Sequence, residues 1–173
     1  ELAAVAREAS VLLIDDVGSG CLVDTTRYGL APEPMVQASI AAGSDLALFS
    51  GDKLLGGPQC GIIAGNSGLV ERLRGHPLAR ALRLDKLAIA ALNATLASYA
   101  EGREHEEIPL WQMASAPLAD VRRRALRLAR AAGEGATVVR SETMVGGGSL
   151  PGEGVPSWCA SVRCLAGAER LAA

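Results

Sequence analysis

"DLALFSGDKLLGGPQCGIIAG", residues 45–65, sets two short apolar runs on either side of a glycine-rich loop, with one lysine near the head of that loop. The flanking runs, "DLALFS" (45–50) and "GIIAG" (61–65), have the length and composition of strands. Upstream, "VLLID" (11–15) is a continuous apolar run ending in acid, the pattern of a strand buried on both faces. Between it and residue 45, "EPMVQASIAAG" (33–43) has helical spacing, with Pro34 near its start and Gly43 at its end. Strand, helix, strand predicts an α/β unit with a parallel core. "ELAAVAREA" (1–9) is made of helix formers and precedes this unit.

Beyond the third run the chain turns helical. "GLVERLRG" (68–75) reads as a helix stopped by Gly75 and Pro77, and "LDKLAIAALNATLASYAEG" (84–102) as a long one. "REHEEIPL" (103–110) is polar and ends in proline, which places a domain boundary there. The division expected is 1–105, a large-domain portion including the long helix, and 106–173, a partial small α+β domain. In the latter, "PLADVRRRALRLARAAG" (117–133) predicts a helix with a basic stripe of Arg122, Arg123, Arg124, Arg127 and Arg130. That stripe reads as a solvated face ahead of a nucleic-acid contact. "ATVVR" (136–140) and "WCASVRC" (158–164) alternate as half-buried strands do, with a loop at 146–156 between them.

Composition removes several function classes. The 173 residues carry a net charge of −2 and 3% aromatics, which argues against a strong electrostatic grip on nucleic acid or a base-stacking platform. Cys21, Cys60, Cys159 and Cys164 form no CxxC pair and only two histidines occur, so a zinc site is not expected. Buried free thiols in a reducing cytoplasm fit instead. No run reaches membrane-spanning length. The first residue is Glu1 and already reads as helix, so the chain looks like a piece of something longer.

Ligands of open α/β sheets bind beyond the carboxyl ends of the strands. Two such ends carry chemistry here: Asp15 and Asp16 before "VGSG", and "SGDK" before "LLGG". An acid at one strand end and a lysine at the next is the pairing that pyridoxal phosphate requires. The amine bonds the cofactor aldehyde, and the carboxylate keeps the pyridine nitrogen protonated. Ser50 could offer its hydroxyl to the phosphate. Spacing leaves the bland reading open: a lysine in a loop is by default solvated, and Asp15 and Asp16 could cap or turn the chain. The loop is not a P-loop, because Lys53 precedes its glycine pair and no Ser or Thr follows it.

The wording of four segments goes further than their spacing. "DDVGSGCLVDTTRYGLAPEP" (15–34), "FSGDKLLGGPQCGIIAG" (49–65), "HPLARALRLDKLAIAALNATLASY" (76–99) and "VGGGSLPGE" (145–153) closely resemble the bacterial selenocysteine synthases, the L-seryl-tRNA(Sec) selenium transferases. The resemblance implies a fold-type-I pyridoxal phosphate enzyme, with a mainly parallel sheet and helices followed by a partial small domain. It puts Lys53 on the cofactor-binding lysine, and Asp16 on the acid facing the pyridine nitrogen with Asp15 in reserve. Arg80 and Arg83 fall on active-site arginines, where a guanidinium fork suits an oxyanion selenium donor. On chemistry alone both arginines would read as helix-start salt bridges. Gln59 and His76 match family positions without a role that their chemistry supplies.

The implied reaction removes water from seryl-tRNA(Sec), adds selenium from selenophosphate, and uses Lys53 to move the seryl α-proton. It implies a cytoplasmic homo-oligomer built from dimers with shared sites. The tRNA would be held mainly by an amino-terminal domain that this chain lacks, as it lacks the first half of the cofactor domain. Two other readings accompany it. One is a lyase using the same cofactor on a small amino acid or amino sugar; the other is an inactive fragment.

Overall fold

A computed structural model describes residues 1–146, 149–150 and 152–163. The chain divides into two compact units, residues 1–114 with 146–151, and residues 115–145 with 152–173.

The first unit opens with α1 (Leu2–Glu8), which buries Ala3 and Ala6. Next come β1 (Ile14–Gly18), a 3-10 turn (Thr25–Tyr28), α2 (Val36–Ala41), β2 (Leu46–Ser50) and β3 (Gly61–Gly65). The sheet order is β1-β2-β3, so β2 is central. Its Leu46, Ala47 and Phe49 are buried. Val36 of α2 packs with Ala47 and Phe49, and Val17, Leu22, Ile40, Ile62 and Ala64 close around them. Asp45 ties the strand entries together. Its amide donates to the Leu13 carbonyl at 2.8 Å, and its carboxylate accepts from the Leu13 amide at 2.8 Å.

The structure corrects the sheet expected from sequence in two respects. β1 runs parallel to β2, pairing Asp15 with Ala47 and Asp16 with Leu48, but β3 is antiparallel, pairing Ser50 with Gly61. The loop between β2 and β3 holds no helix to carry the chain back across the sheet, and a parallel return needs a dozen or more residues of crossover. The first strand also begins at Ile14 rather than Val11, and Val11, Leu12 and Ile14 are exposed. The apolar run "VLLID" therefore supplies an edge strand, not one covered on both faces.

Helices follow: α3 (Ser67–Arg74), α4 (Pro77–Ala81), α5 (Lys86–Ala100), α6 (Glu104–Glu107) and α7 (Pro109–Ala114). Two of their starts carry side-chain caps of the ordinary acceptor kind. Asn66 accepts from the Leu69 amide at 3.2 Å and Asp85 from the Ala88 amide at 2.9 Å. Ile108 and Trp111 are buried, so the segment after Gly102 contributes to the core of this unit.

In the second unit α8 (Leu118–Ala132) lies on an antiparallel pair, β4 (Ala136–Met144) and β5 (Gly154–Val162). Ala125 and Ala129 are buried, and Arg123, Arg124, Arg127 and Arg130 are exposed, as a solvated stripe requires. Trp158 stands opposite Arg140 across the strands. The guanidinium carbons of Arg122 and Arg140 sit 5.3 and 5.5 Å from its ring centroid. No described helix is long and apolar enough to cross a membrane. Among the described residues there is no cluster able to hold a metal ion. Cys21 and Cys60 are buried free thiols, whereas Cys159 is exposed, contrary to the expectation of burial; Cys164 lies outside the described residues.

Candidate active site

Successive residues of a strand point to opposite faces, and that alternation separates the two candidate acids. Asp15 turns toward α2, where the Ser39 hydroxyl donates to its Oδ2 at 2.5 Å and lies 3.1 Å from the Ser44 hydroxyl. Asp16 is exposed on the opposite face. The pairing with β2 shifts between Asp16 and Gly18, and Gly18 (φ 66°) and Gly20 (φ 67°) are both left-handed. A Cβ on Gly20 would collide with the Ser50 carbonyl, so the first strand's end is pressed against the end of β2. Among the described residues, a Cβ on Gly18 would meet two atoms within 4 Å, Asp16 Oδ1 at 3.8 Å and Lys53 Nζ at 3.9 Å. The carboxylate and the amine thus both come within 4 Å of one point over a glycine.

The Lys53 turn is fixed from several sides. Gly51 donates to the Cys60 carbonyl at 2.9 Å, Gly57 to that of Gly51 at 2.8 Å, and Gly56 to that of Lys53 at 2.9 Å. The Leu54 amide donates to the Ser19 carbonyl at 2.9 Å, joining the turn to the end of β1. Leu54 and Leu55 are fully buried while Lys53 is half-buried. The backbone is therefore anchored on both sides of a lysine whose side chain reaches the Gly18 space. Burial, reinforced by the Asp52 charge, pushes the neighbouring Cys60 thiol up from its ordinary value and keeps it protonated. Ser50 is half-buried at the end of β2. Ser19 is buried, and its hydroxyl has no hydrogen-bond partner among the described residues.

Arg80 lies on α4 and Arg83 just beyond it, both exposed. With Arg74 and His76 they line a pocket to which neither Lys53 nor Asp16 contributes. Neither forms an ion pair among the described residues, so helix-start salt bridging does not explain them. His76 has a structural role, because its Nδ1 accepts from the Leu78 amide at 3.2 Å and caps α4. Sequence pattern ends the helical segment at Gly75 and passes over this short helix, although Pro77 at its first position is a usable signal. Gln59 is exposed, and nothing in the structure assigns it a contact.

Sequence reasoning also misses Tyr99 and Trp111. The Tyr99 hydroxyl reaches the carbonyls of Leu55 at 2.9 Å and Leu54 at 3.3 Å, and it accepts from Trp111 Nε1 at 2.6 Å. Trp111 stacks on Tyr28 with centroids 4.6 Å apart. No spacing rule links residue 99 to residue 54.

Comparison with known proteins gives the family. The family model described as SelA: L-seryl-tRNA selenium transferase matches residues 1–172. An L-seryl-tRNA(Sec) selenium transferase of Hyphomonas neptunium is 45% identical over 167 residues, covering 94% of this chain and 36% of that protein. One from Klebsiella pneumoniae subsp. pneumoniae is 47% identical over 163 residues, covering 91% and 35%. Among solved structures, D-glucosaminate-6-phosphate ammonia-lyase superposes with a TM-score of 0.55 at 18% identity, covering 93% of this chain and 36% of that one. That likeness concerns the fold alone. The chain spans about a third of the length of the curated relatives it matches. Matched along nearly all its residues, it belongs to the L-seryl-tRNA selenium transferase family.

Proposed function

We propose that this chain supplies the lysine-and-carboxylate part of a pyridoxal phosphate site that converts L-seryl-tRNA(Sec) to L-selenocysteinyl-tRNA(Sec) with selenophosphate. The observation that carries the reading is the meeting of Asp16 and Lys53 over Gly18. The donor set fits the cofactor: an amine for its aldehyde, an anion for its ring nitrogen, and a glycine where any side chain would intrude. The buried Ser19 hydroxyl, which has no partner among the described residues, and that of Ser50 are polar groups at the same strand ends.

When bound, the cofactor supplies an electron sink for the charge left as the seryl α-proton departs. The chain's residues do the rest. Lys53 would hold the cofactor covalently through its amine, and its free amine would move the seryl α-proton. Asp16 would pair with the ring nitrogen. Arg80 and Arg83 bind selenophosphate, a role suited to planar guanidinium forks. Their clustering with Arg74 and His76 supports an anion subsite. We assign that subsite to a site shared between subunits of an oligomer built from dimers. Seryl-tRNA(Sec) is held mainly by parts of the protein outside this chain.

The test is conversion of seryl-tRNA(Sec) by the intact protein with selenophosphate. Lys53→Ala should abolish conversion. Arg80→Ala should weaken use of the selenium donor while sparing the cofactor. Conversion unaffected by Lys53→Ala would remove the reading. No observation on the chain's residues favours a lyase of small amino acids or amino sugars, because the ammonia-lyase likeness, at 18% identity, extends to fold only.

A further inference from the structure

The turn that carries Lys53 rests on a platform from later in the chain. Tyr99, near the end of α5, sends its hydroxyl to the two carbonyls that follow Lys53, at 3.3 Å (Leu54) and 2.9 Å (Leu55). That oxygen accepts from Trp111 Nε1 at 2.6 Å. Trp111 is fully buried, stacks on Tyr28, and leaves the phenol little freedom to swing. Tyr28 Oη in turn lies 3.5 Å from the buried Glu104 carboxylate. Two further contacts seat the turn on the same surface. A Cβ at Gly56 would collide with Ile108, and one at Gly57 would come within 3.2 Å of the Thr95 hydroxyl of α5.

We propose that Tyr99, oriented by Trp111, is a positioning residue that sets where the Lys53 amine stands relative to Asp16. The inference rests on the reading of Lys53 as the cofactor-binding lysine. The backbone between the amine and the nearest rigid anchor is a single residue. On the β1 side that anchor is the Leu54 amide bond to Ser19. On the α5 side it is the Tyr99 hydroxyl. Both hold Leu54, one through its N–H and the other through its carbonyl, so the residue that follows Lys53 is gripped from opposite directions. A lysine side chain has four rotatable bonds and gains from a fixed base. A small shift of that base moves the amine away from Asp16 and Gly18. Burial raises the Tyr99 hydroxyl well above its ordinary value, so it stays a donor throughout the working range.

The test follows capture of pyridoxal phosphate on Lys53 in the intact protein, trapped with borohydride and read as the mass of the Lys53 peptide. Tyr99→Phe keeps the ring and removes the hydroxyl. It should slow capture about tenfold, the effect of one lost hydrogen bond of ordinary strength. It should also speed amide hydrogen exchange across residues 51–57. Trp111→Phe should slow capture in the same direction, and the double variant should be no slower than Tyr99→Phe alone.

Ser98→Ala is the control. Ser98 lies beside Tyr99 on α5, is buried, and its hydroxyl bonds Glu107 at 2.7 Å and the Ala94 carbonyl at 3.2 Å rather than the turn. It should lower thermal stability and leave capture unchanged. Capture by Tyr99→Phe at the wild-type rate, or exchange across 51–57 unchanged, overturns the proposal. So does an equal slowing in Ser98→Ala, which would reduce Tyr99 to general support of the helix. A wild-type protein that captures no cofactor on Lys53 fails earlier, takes the parent reading with it, and is told apart by that silence.

Discussion

Asp15 and Asp16 are adjacent in sequence and opposed in structure: the first is held by the Ser39 hydroxyl at 2.5 Å, the second opens toward Lys53. On the proposed reading, the pair separates a structural acid from one that serves the cofactor. Ser39→Ala should cost about 1–2 kcal/mol in denaturant unfolding, since it strips a hydrogen bond from a charged group. It should leave cofactor capture intact. Asp16→Asn should do the reverse, with an unchanged unfolding midpoint and a cofactor that binds but no longer supports turnover.

The two left-handed glycines give a second prediction. Gly20→Ala meets the Ser50 carbonyl and an unfavourable φ together, so it should destabilise the protein by at least ~2 kcal/mol. Gly18→Ala carries the strain of its φ without a backbone clash, about 1 kcal/mol. Its new methyl would lie within 4 Å of both the carboxylate and the amine, so capture should fall far more than stability does. Thermal melts and capture rates on the same preparations separate the two effects.

Much of this arrangement is legible in the sequence and some is not. The Lys53 strand end, the acid doublet, the long helix and the arginine-bearing helix all announce themselves through local pattern. The antiparallel return of β3 does not, because an apolar five-residue run fits either direction and only the connecting loop decides. His76 as a cap is hidden by a glycine and a proline that read as a stop. Tyr99 and Trp111 act on a turn more than forty residues away, so no periodicity exposes them. Which acid faces the lysine is undecided by composition and follows once β1 has a register against β2.

Tyr99 also makes a prediction about pH. Its hydroxyl is raised in the folded state, first by burial, with a smaller opposing effect from the Trp111 hydrogen bond. A group raised on folding stabilises the protein fully below its unfolded value, and that contribution disappears as pH climbs toward the folded value. Stability should therefore decline above pH ~10, the ordinary tyrosine value. Tyr99→Phe should flatten that decline. A decline of the same steepness in the variant would assign it to other groups.

In the second unit, the indole of Trp158 lies within cation–π distance of both Arg122 and Arg140. Removing either guanidinium as Ala should cost about 0.5–1 kcal/mol. Changing Arg124 or Arg127, which are exposed and take no part in this clamp, should stay within about 0.5 kcal/mol of wild type. Urea unfolding of the four variants is sufficient.

The most direct measurement is the location of borohydride-fixed pyridoxal phosphate by peptide mass. This chain has two lysines, Lys53 and Lys86. The account predicts the label on Lys53, no label on that peptide in Lys53→Ala, and no transfer of label to Lys86. Label on Lys86 in the wild-type protein, or equal labelling with and without the Lys53 amine, would contradict it.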